Sequence, residues 1–383
     1  MSESIVSKTK YSFKADQVGS LLRPDNLKKA HTDFDKENIS LKDLEKIENI
    51  EINRIAKKQS DLGLKVITNG EFDRVTFFLD FIQWLKGIQK ISRDEFSSQH
   101  GKVKQFLPFA LKVVSKISYN PNHPFFDSFK YLKSISSEDT IPKVTIPSPT
   151  QTLLPGKYNI LLGKNKVYQN RKGFLDDLAS AYNKSILHFY DLGVRYIQLD
   201  DPFWFGLIQG LEANKDNPEK HNYFVNLGKE FVYLTKETIK NLPSDLIIAT
   251  HVCRGNNQSS YLYNVNGYKT LVKYLKQLPF DAFFLEYDTK RSGGFSPLTE
   301  LHKAQPQAVL VLGLVTSKFP ELEDKADLKK RIKEASKYVP LDHLGLSTQC
   351  GFASTQEGNK LTEDQQWKKL KLVVDTAKEI WSV

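Results

Sequence analysis

The feature that most constrains this chain is a short junction used twice. Asp61-Leu62-Gly63-Leu64-Lys65-Val66-Ile67 is matched in residue type by Asp191-Leu192-Gly193-Val194-Arg195-Tyr196-Ile197. In both, a helical pattern stops at a glycine, which takes the left-handed C-cap position without a steric penalty, and strand-forming residues follow at once. Ahead of the first junction, Leu44, Ile47, Ile52, Ile55 and Ala56 mark one face of a helix. So short a step from helix to strand belongs to α/β units, whose parallel strands are joined by helical crossovers.

Strand patterns recur at residues 15–20, 65–68, 143–148, 196–200, 246–253, 281–286, 308–315 and 344–350, most of them separated by helical patterns. The clearest helix comes last. Trp367, Leu370, Val374, Ala377 and Trp381 share a face, and Thr362 with Gln365 forms a capping-box signal. Eight alternating units predict an α/β fold, a (β/α)8 TIM barrel. Residues 86–141 and 155–172 do not fit the repeat and are expected to be insertions, the first forming hairpins between strands 2 and 3 over one barrel mouth. No Pro/Gly/Ser-rich linker marks a second domain, so residues 1–383 are expected to form one barrel.

Composition narrows the function classes. With 40% hydrophobic and 26% charged residues, the chain is neither disordered nor a coiled coil nor collagen-like. The longest apolar run, residues 308–315, is far short of the roughly 20 that a bilayer-crossing helix needs. The polar start, with Lys8, Lys10 and Lys14, has no apolar stretch for an export signal, so a soluble, cytoplasmic protein is expected. The formal charge of +10 is spread along the chain without a basic arm or nucleic-acid motif. It reads as a solvated surface, with small molecules as partners and neither nucleic acid nor membrane. The oligomeric state is left open.

In an α/β barrel the active site lies at the C-terminal ends of the strands, and there the polar residues concentrate. Strand 5 ends in His251-Val252-Cys253, whose outer two residues point to the same face. Strand 6 ends in Glu286 and strand 8 in Cys350. Taken singly, each has an ordinary reading: a half-buried histidine, free apolar cysteines, a rim glutamate. Together, the only two cysteines of the chain, one of them beside a histidine at i−2, form an N/S/O set suited to tetrahedral zinc. A second group, Ser20, Glu71 and Asp200-Asp201, closes earlier strands. Its carboxylates suit the ammonium of an amino-acid substrate, and Ser20 suits a carboxylate. The ordinary reading of this group is a set of rim ion pairs with Arg23, Arg74 or Arg254.

Gln17-Val18-Gly19-Ser20, Asn69-Gly70-Glu71, Ile197-Gln198-Leu199-Asp200-Asp201-Pro202, His251-Val252-Cys253, Leu285-Glu286 and Gln349-Cys350-Gly351-Phe352 resemble, in order, the C-terminal catalytic barrel of cobalamin-independent methionine synthases. The resemblance runs from about Asp16 to the C-terminus. It implies zinc held by His251, Cys253, Glu286 and Cys350, with homocysteine bound thiol to zinc, its amino group on Glu71 and Asp200 and its carboxylate at Ser20. It implies a methyltransferase of the 5-methyltetrahydropteroyltriglutamate–homocysteine type, in which a zinc-held thiolate takes a methyl group from a 5-methyltetrahydrofolate and yields methionine.

The donor side departs from that family. Its full-length members carry an additional N-terminal barrel with no counterpart in this sequence. Val315-Thr316-Ser317-Lys318-Phe319-Pro320 stands where a His-Ser-Pro stretch supplies a proton relay, a task Thr316 does not perform at neutral pH. His123 is the histidine considered in its stead, with an exposed surface loop as its ordinary reading. Pro147-Ser148-Pro149 replaces Thr-Gly-Pro, and Leu153 or Leu154 the tryptophan that follows. Phe203 and Trp204 are candidates to stack on a flat ligand, or else core residues. Three alternatives therefore stay open: alkyl transfer to another thiol of the coenzyme M type, a corrinoid or other methyl donor, and a non-catalytic zinc-stabilised, thiol-binding barrel. A metal-free barrel would instead pair Glu286 with Arg254 or Arg291.

Overall fold

The computed structural model describes residues 14–92, 94–95, 109–153, 160–161 and 167–382. Eight parallel strands carry the fold: β1 (Ala15–Asp16), β2 (Val66–Ile67), β3 (Val144–Pro147), β4 (Tyr196–Asp201), β5 (Ile247–Val252), β6 (Ala282–Glu286), β7 (Val309–Val315) and β8 (Leu344–Thr348). Seven of them form one curled sheet in the order β1-β8-β7-β6-β5-β4-β3. β2 pairs in parallel with Ile141–Pro142, the residues just ahead of β3. Between β1 and β2 no ladder forms among the described residues, and side chains bridge the gap: the Gln17 amide donates to Gln59 Oε1 at 2.6 Å and to Thr68 Oγ1 at 3.2 Å.

The twin junctions form for the expected local reason. The helix Leu41–Asp61 starts at a Ser40/Asp43 capping box, and Arg171–Asp191 starts at Asn170, whose side chain accepts from Gly173 N–H. Both end in a left-handed glycine, Gly63 at φ 94° and Gly193 at φ 100°. Leu64 N–H then donates back to Gln59 O, and Val194 N–H to Phe189 O, which turns the chain straight into β2 and β4. The final helix, Glu363–Trp381, carries the Thr362/Gln365 capping box and buries Trp367, Leu370, Val374 and Ala377.

Residues 86–141 hold one hairpin among the described residues, Lys86–Ile91 antiparallel to Ala110–Ser118, to which Ile160–Leu161 adds a parallel strand. The hairpin is tied to the start of the helix Arg171–Asp191 through Tyr168, whose hydroxyl accepts from Ile117 N–H at 2.7 Å. The helix described in this segment, Pro124–Ile135, is an element the expected hairpins did not include, with Pro at its first position and Phe125, Phe126, Phe129 and Leu132 buried. Residues 93 and 96–108, and most of the second expected insertion, lie outside the described residues.

Period-two alternation divides the strands between two environments. Phe283 and Leu285 of β6 pack outward under the helices, and Ala282 and Phe284 pack inward with Tyr196, Ile247, Ala249, Val309 and Val311. Continuing along the inward faces, Ala249 leads to His251, Phe284 to Glu286, and Tyr196 through Gln198 to Asp200. On β4, β5 and β6 the inward faces therefore change from apolar to polar toward the C-terminal strand ends.

Candidate metal centre

His251, Cys253, Glu286 and Cys350 are all buried, and one ligand atom from each lies within 4.8 Å of all the others. The two sulfurs are 3.8 Å apart. His251 Nε2 stands 3.8 Å from Glu286 Oε1, while Nδ1 faces Asp200 Oδ1 at 3.3 Å. A histidine whose outer nitrogen rests on a carboxylate is fixed in ring orientation and presents its other nitrogen to a metal. Backbone groups fix the rest: Arg254 N–H donates to Glu286 Oε1 at 2.8 Å, and Gly255 N–H to Cys253 Sγ at 3.2 Å. Glu286 Oε2 is buried with no hydrogen-bond partner, which leaves an acceptor free for a cation.

The electrostatics match a site that wants positive charge. Burial opposes a charge on His251, yet the hydrogen bond to Asp200 and the nearby Cys350 and Glu286 outweigh it and push the imidazole up to about 9. The Cys253–Cys350 contact lowers the Cys350 thiol and, together with burial, raises that of Cys253 well above its ordinary value. The two thiols therefore titrate as a pair, with the negative charge favoured on Cys350.

Cys350 reaches this cluster in a way alternation does not predict. Residues 344–350 were expected as one strand, but β8 stops at Thr348. Leu344 and Leu346 face the helices, so a strand continued in register would turn Cys350 toward them as well. The bend at Gln349 and Cys350 breaks the register and turns the thiol inward.

The carboxylate group is assembled next to this cluster. Glu71 has φ 61°, a left-handed conformation that the Asn69 side chain supports by accepting Glu71 N–H at 2.9 Å. Its Oε1 accepts from Thr145 Oγ1 at 3.0 Å, and its Oε2 is buried without a partner. Gly19 makes room: a Cβ there would stand 2.6 Å from Thr145 Cγ2 and 3.4 Å from Glu71 Oε1. Burial raises the Glu71 carboxyl and Asp200 raises it further, against the pull of Arg74 and Arg23. Ser20 is buried, and its Oγ accepts from Ala353 N–H at 3.3 Å. A Cβ on Gly351 would lie 2.0 Å from that Oγ, so Ser20 packs directly against the residue following Cys350.

Other expectations fall differently. Arg23 and Arg74 do not bond the Glu71 carboxylate: Arg23 donates to the carbonyls of Glu71 and Arg74, and Arg74 to Thr145. Glu286 takes the backbone N–H of Arg254, while that guanidinium lies 4.2 Å over the Phe205 ring. Asp201 points away from the site and caps the next helix, accepting from Phe203 N–H at 3.1 Å and Thr150 Oγ1 at 2.8 Å. His123 is neither exposed nor at the mouth. It is buried among Phe81, Phe125 and Phe126, its Nδ1 accepts from Phe125 N–H, and burial drives it down to about 4. Trp204 packs on Phe231 and Tyr274 in the core, where no flat ligand reaches it. Gln198, two residues before Asp200 on the same strand face, donates to the Asp200 carboxylate at 2.7 Å, a contact that the period-two spacing of the strand signals.

The fold and site together define a parallel α/β barrel with a buried His/Cys/Glu cluster at its C-terminal mouth whose geometry could hold a metal ion. Residues 112–379 match the family model described as cobalamin-independent synthase, catalytic domain. The chain is 42% identical to the uncharacterized protein YxjG of Bacillus subtilis, over 98% of this chain and 97% of that one. A solved structure described as a putative vitamin-B12 independent methionine synthase from Listeria monocytogenes superposes with a TM-score of 0.75 at 36% identity, covering 96% of this chain and 98% of the other. A B12-independent methionine synthase from Shewanella, solved in complex with selenomethionine, shares the fold at a TM-score of 0.69 and 16% identity, covering 97% and 98%. The chain belongs to the cobalamin-independent methionine synthase family.

Proposed function

We propose that this protein is a zinc-dependent methyltransferase that moves a methyl group from a 5-methyltetrahydrofolate-type donor to the thiol of homocysteine, giving methionine. The observation that carries this reading is the buried His251/Cys253/Glu286/Cys350 cluster. Two thiolates at about 2.3 Å from a tetrahedral zinc lie about 3.8 Å apart, and the Sγ–Sγ separation here is 3.8 Å. When bound, zinc supplies a Lewis acid that keeps a substrate thiol deprotonated near neutral pH.

The chain's own residues prepare the rest. Asp200 orients His251, and the Arg254 and Gly255 N–H groups hold Glu286 and Cys253, so the donor atoms are set before any ligand arrives. Glu71 offers a buried carboxylate with one free oxygen to a substrate ammonium, Asp200 stands close enough for its charge to be felt there, and Ser20 offers a hydroxyl to the carboxylate. Family membership supports homocysteine as acceptor. So does the Shewanella relative's complex with selenomethionine, which carries the same amino and carboxylate groups.

A second reading keeps the acceptor and replaces the folate by a corrinoid or other methyl donor. Residues on the donor side favour it: Thr316 is tied to Glu323 and Gln349 where a relay histidine is wanted, and Trp204 is buried in the core. Zinc content measured together with X-ray absorption at the zinc edge tests the common part. Stoichiometric zinc that gains a sulfur neighbour on adding homocysteine is expected; absent or unresponsive zinc overturns both readings. Turnover with methyl-folate against methyl-corrinoid then separates them.

A further inference from the structure

A buried polar chain runs beneath the metal centre. Lys143, at the foot of β3 and fully buried, points its ammonium into the barrel, where it donates to Asp16 Oδ1 at 2.9 Å, to Gln198 Oε1 at 3.1 Å and to Gln17 O. Asp16 Oδ2 accepts from Tyr196 OH at 2.8 Å. Gln198, also fully buried, donates through Nε2 to Val18 O at 2.6 Å and to Asp200 Oδ1 at 2.7 Å. That same Asp200 oxygen faces His251 Nδ1 at 3.3 Å.

The orientation of the Gln198 amide is fixed from both ends. An ammonium has only donors, so Oε1 must face Lys143; a carbonyl and a carboxylate only accept, so the NH₂ must face Val18 and Asp200. Lys143 in turn has three protons and three acceptors, with no capacity left to turn elsewhere. Turning the amide over would set NH₂ against an ammonium and oxygen against a carboxylate, each a buried mismatch.

We propose that Gln198 and Lys143 are positioning residues of the metal centre: Lys143 locks the Gln198 amide, the amide locks the Asp200 carboxylate, and the carboxylate sets the ring of His251 toward Cys253, Glu286 and Cys350. This rests on the zinc reading of the cluster and adds to it residues one and two bonds further out. Outer partners of metal-bound histidines are worth about ten- to hundredfold in metal affinity.

The test compares Gln198→Met, which keeps the length and removes both polar ends, with Gln59→Met, an equally buried amide that bonds Gln17 and Thr68 instead. Zinc affinity is read by competition with a chelator, and KM for homocysteine separately from kcat. Gln198→Met is expected to lose about tenfold or more in zinc affinity and to raise KM, whereas Gln59→Met lowers thermal stability and leaves zinc affinity unchanged. A folded Gln198→Met with unchanged zinc affinity and KM overturns the proposal. If Gln198→Met does not fold, Gln198→Asn replaces it, because the shorter amide cannot span Lys143 and Asp200 together, and the same two outcomes decide. If the unsubstituted protein takes up no zinc, the functional reading fails on its own. The positioning claim is then read from crystal structures of the metal-free protein and variant, where an Asp200–His251 separation that stays at 3.3 Å would refute it.

Discussion

The two halves of the barrel mouth are built on opposite principles. On the side of β5, β6 and β8, four donors stand together with no arginine or lysine side chain hydrogen-bonded to them among the described residues: Glu286 keeps one oxygen free, and two thiols titrate against each other. On the side of β1, β2 and β3, cations are present, but Arg23 and Arg74 spend their hydrogen bonds on carbonyl groups and Thr145, which leaves Glu71 Oε2 open. Arginine charge beside Glu71 offsets part of the cost of burying a carboxylate, while its hydrogen-bonding capacity stays directed into the loops. On the proposed function, the first half takes an ion and the second a ligand whose ammonium completes it.

Removing a ligand from the first half should have the largest effect. Cys350→Ala is expected to abolish metal retention with the barrel still folded, checked by metal analysis and circular dichroism. Full occupancy in that variant would break the distinction between the halves.

A pH effect comes next and lies outside both halves, at His123, which is buried among Phe81, Phe125 and Phe126 and feels the charge of Arg74. Its pKa is about 4 in the folded chain and about 6.5 when unfolded, so between these values the unfolded state binds the extra proton. Stability from this group is full above about pH 6.5 and falls as pH drops toward 4, by about 3 kcal/mol in all. His123→Asn keeps a capping side chain without the titration. Denaturant unfolding from pH 7 to 4 should show the wild-type protein losing more stability than the variant; parallel curves would contradict the burial argument.

The joint between the halves is Gly351, where a Cβ would strike Ser20 Oγ. Gly351→Ala should destabilise by about 1–3 kcal/mol and weaken both metal and amino-acid binding, measured by thermal unfolding and titration calorimetry. Loss confined to one partner would show that the halves are independent. The smallest expected effect is that of Glu71→Gln, about tenfold, or ~1.4 kcal/mol, in affinity for an amino-acid thiol with metal content unchanged. Equal affinity in calorimetry would sink the ammonium role.

Much of this architecture is local and therefore visible in the chain itself. The glycine-terminated junctions at 63 and 193, the capping box at Thr362 and the alternation that sends His251 and Glu286 inward each depend on residues a few positions apart. The sequence named the donor types and the strands that carry them for the same reason: side-chain direction along a strand follows a period of two. Folding in space decided the rest. Cys350 faces the cluster because β8 ends two residues early, His123 is buried because Phe81 packs against it together with Phe125 and Phe126 of the helix it caps, and Glu71 is aimed by a left-handed turn fitted against Gly19. Ser20 and Ala353 lie 333 residues apart in the chain, and Lys143 and Gln198 lie 55 apart. Contacts of that span depend on how the curled sheet brings its strands together, a property of the whole barrel that no short stretch of residues encodes.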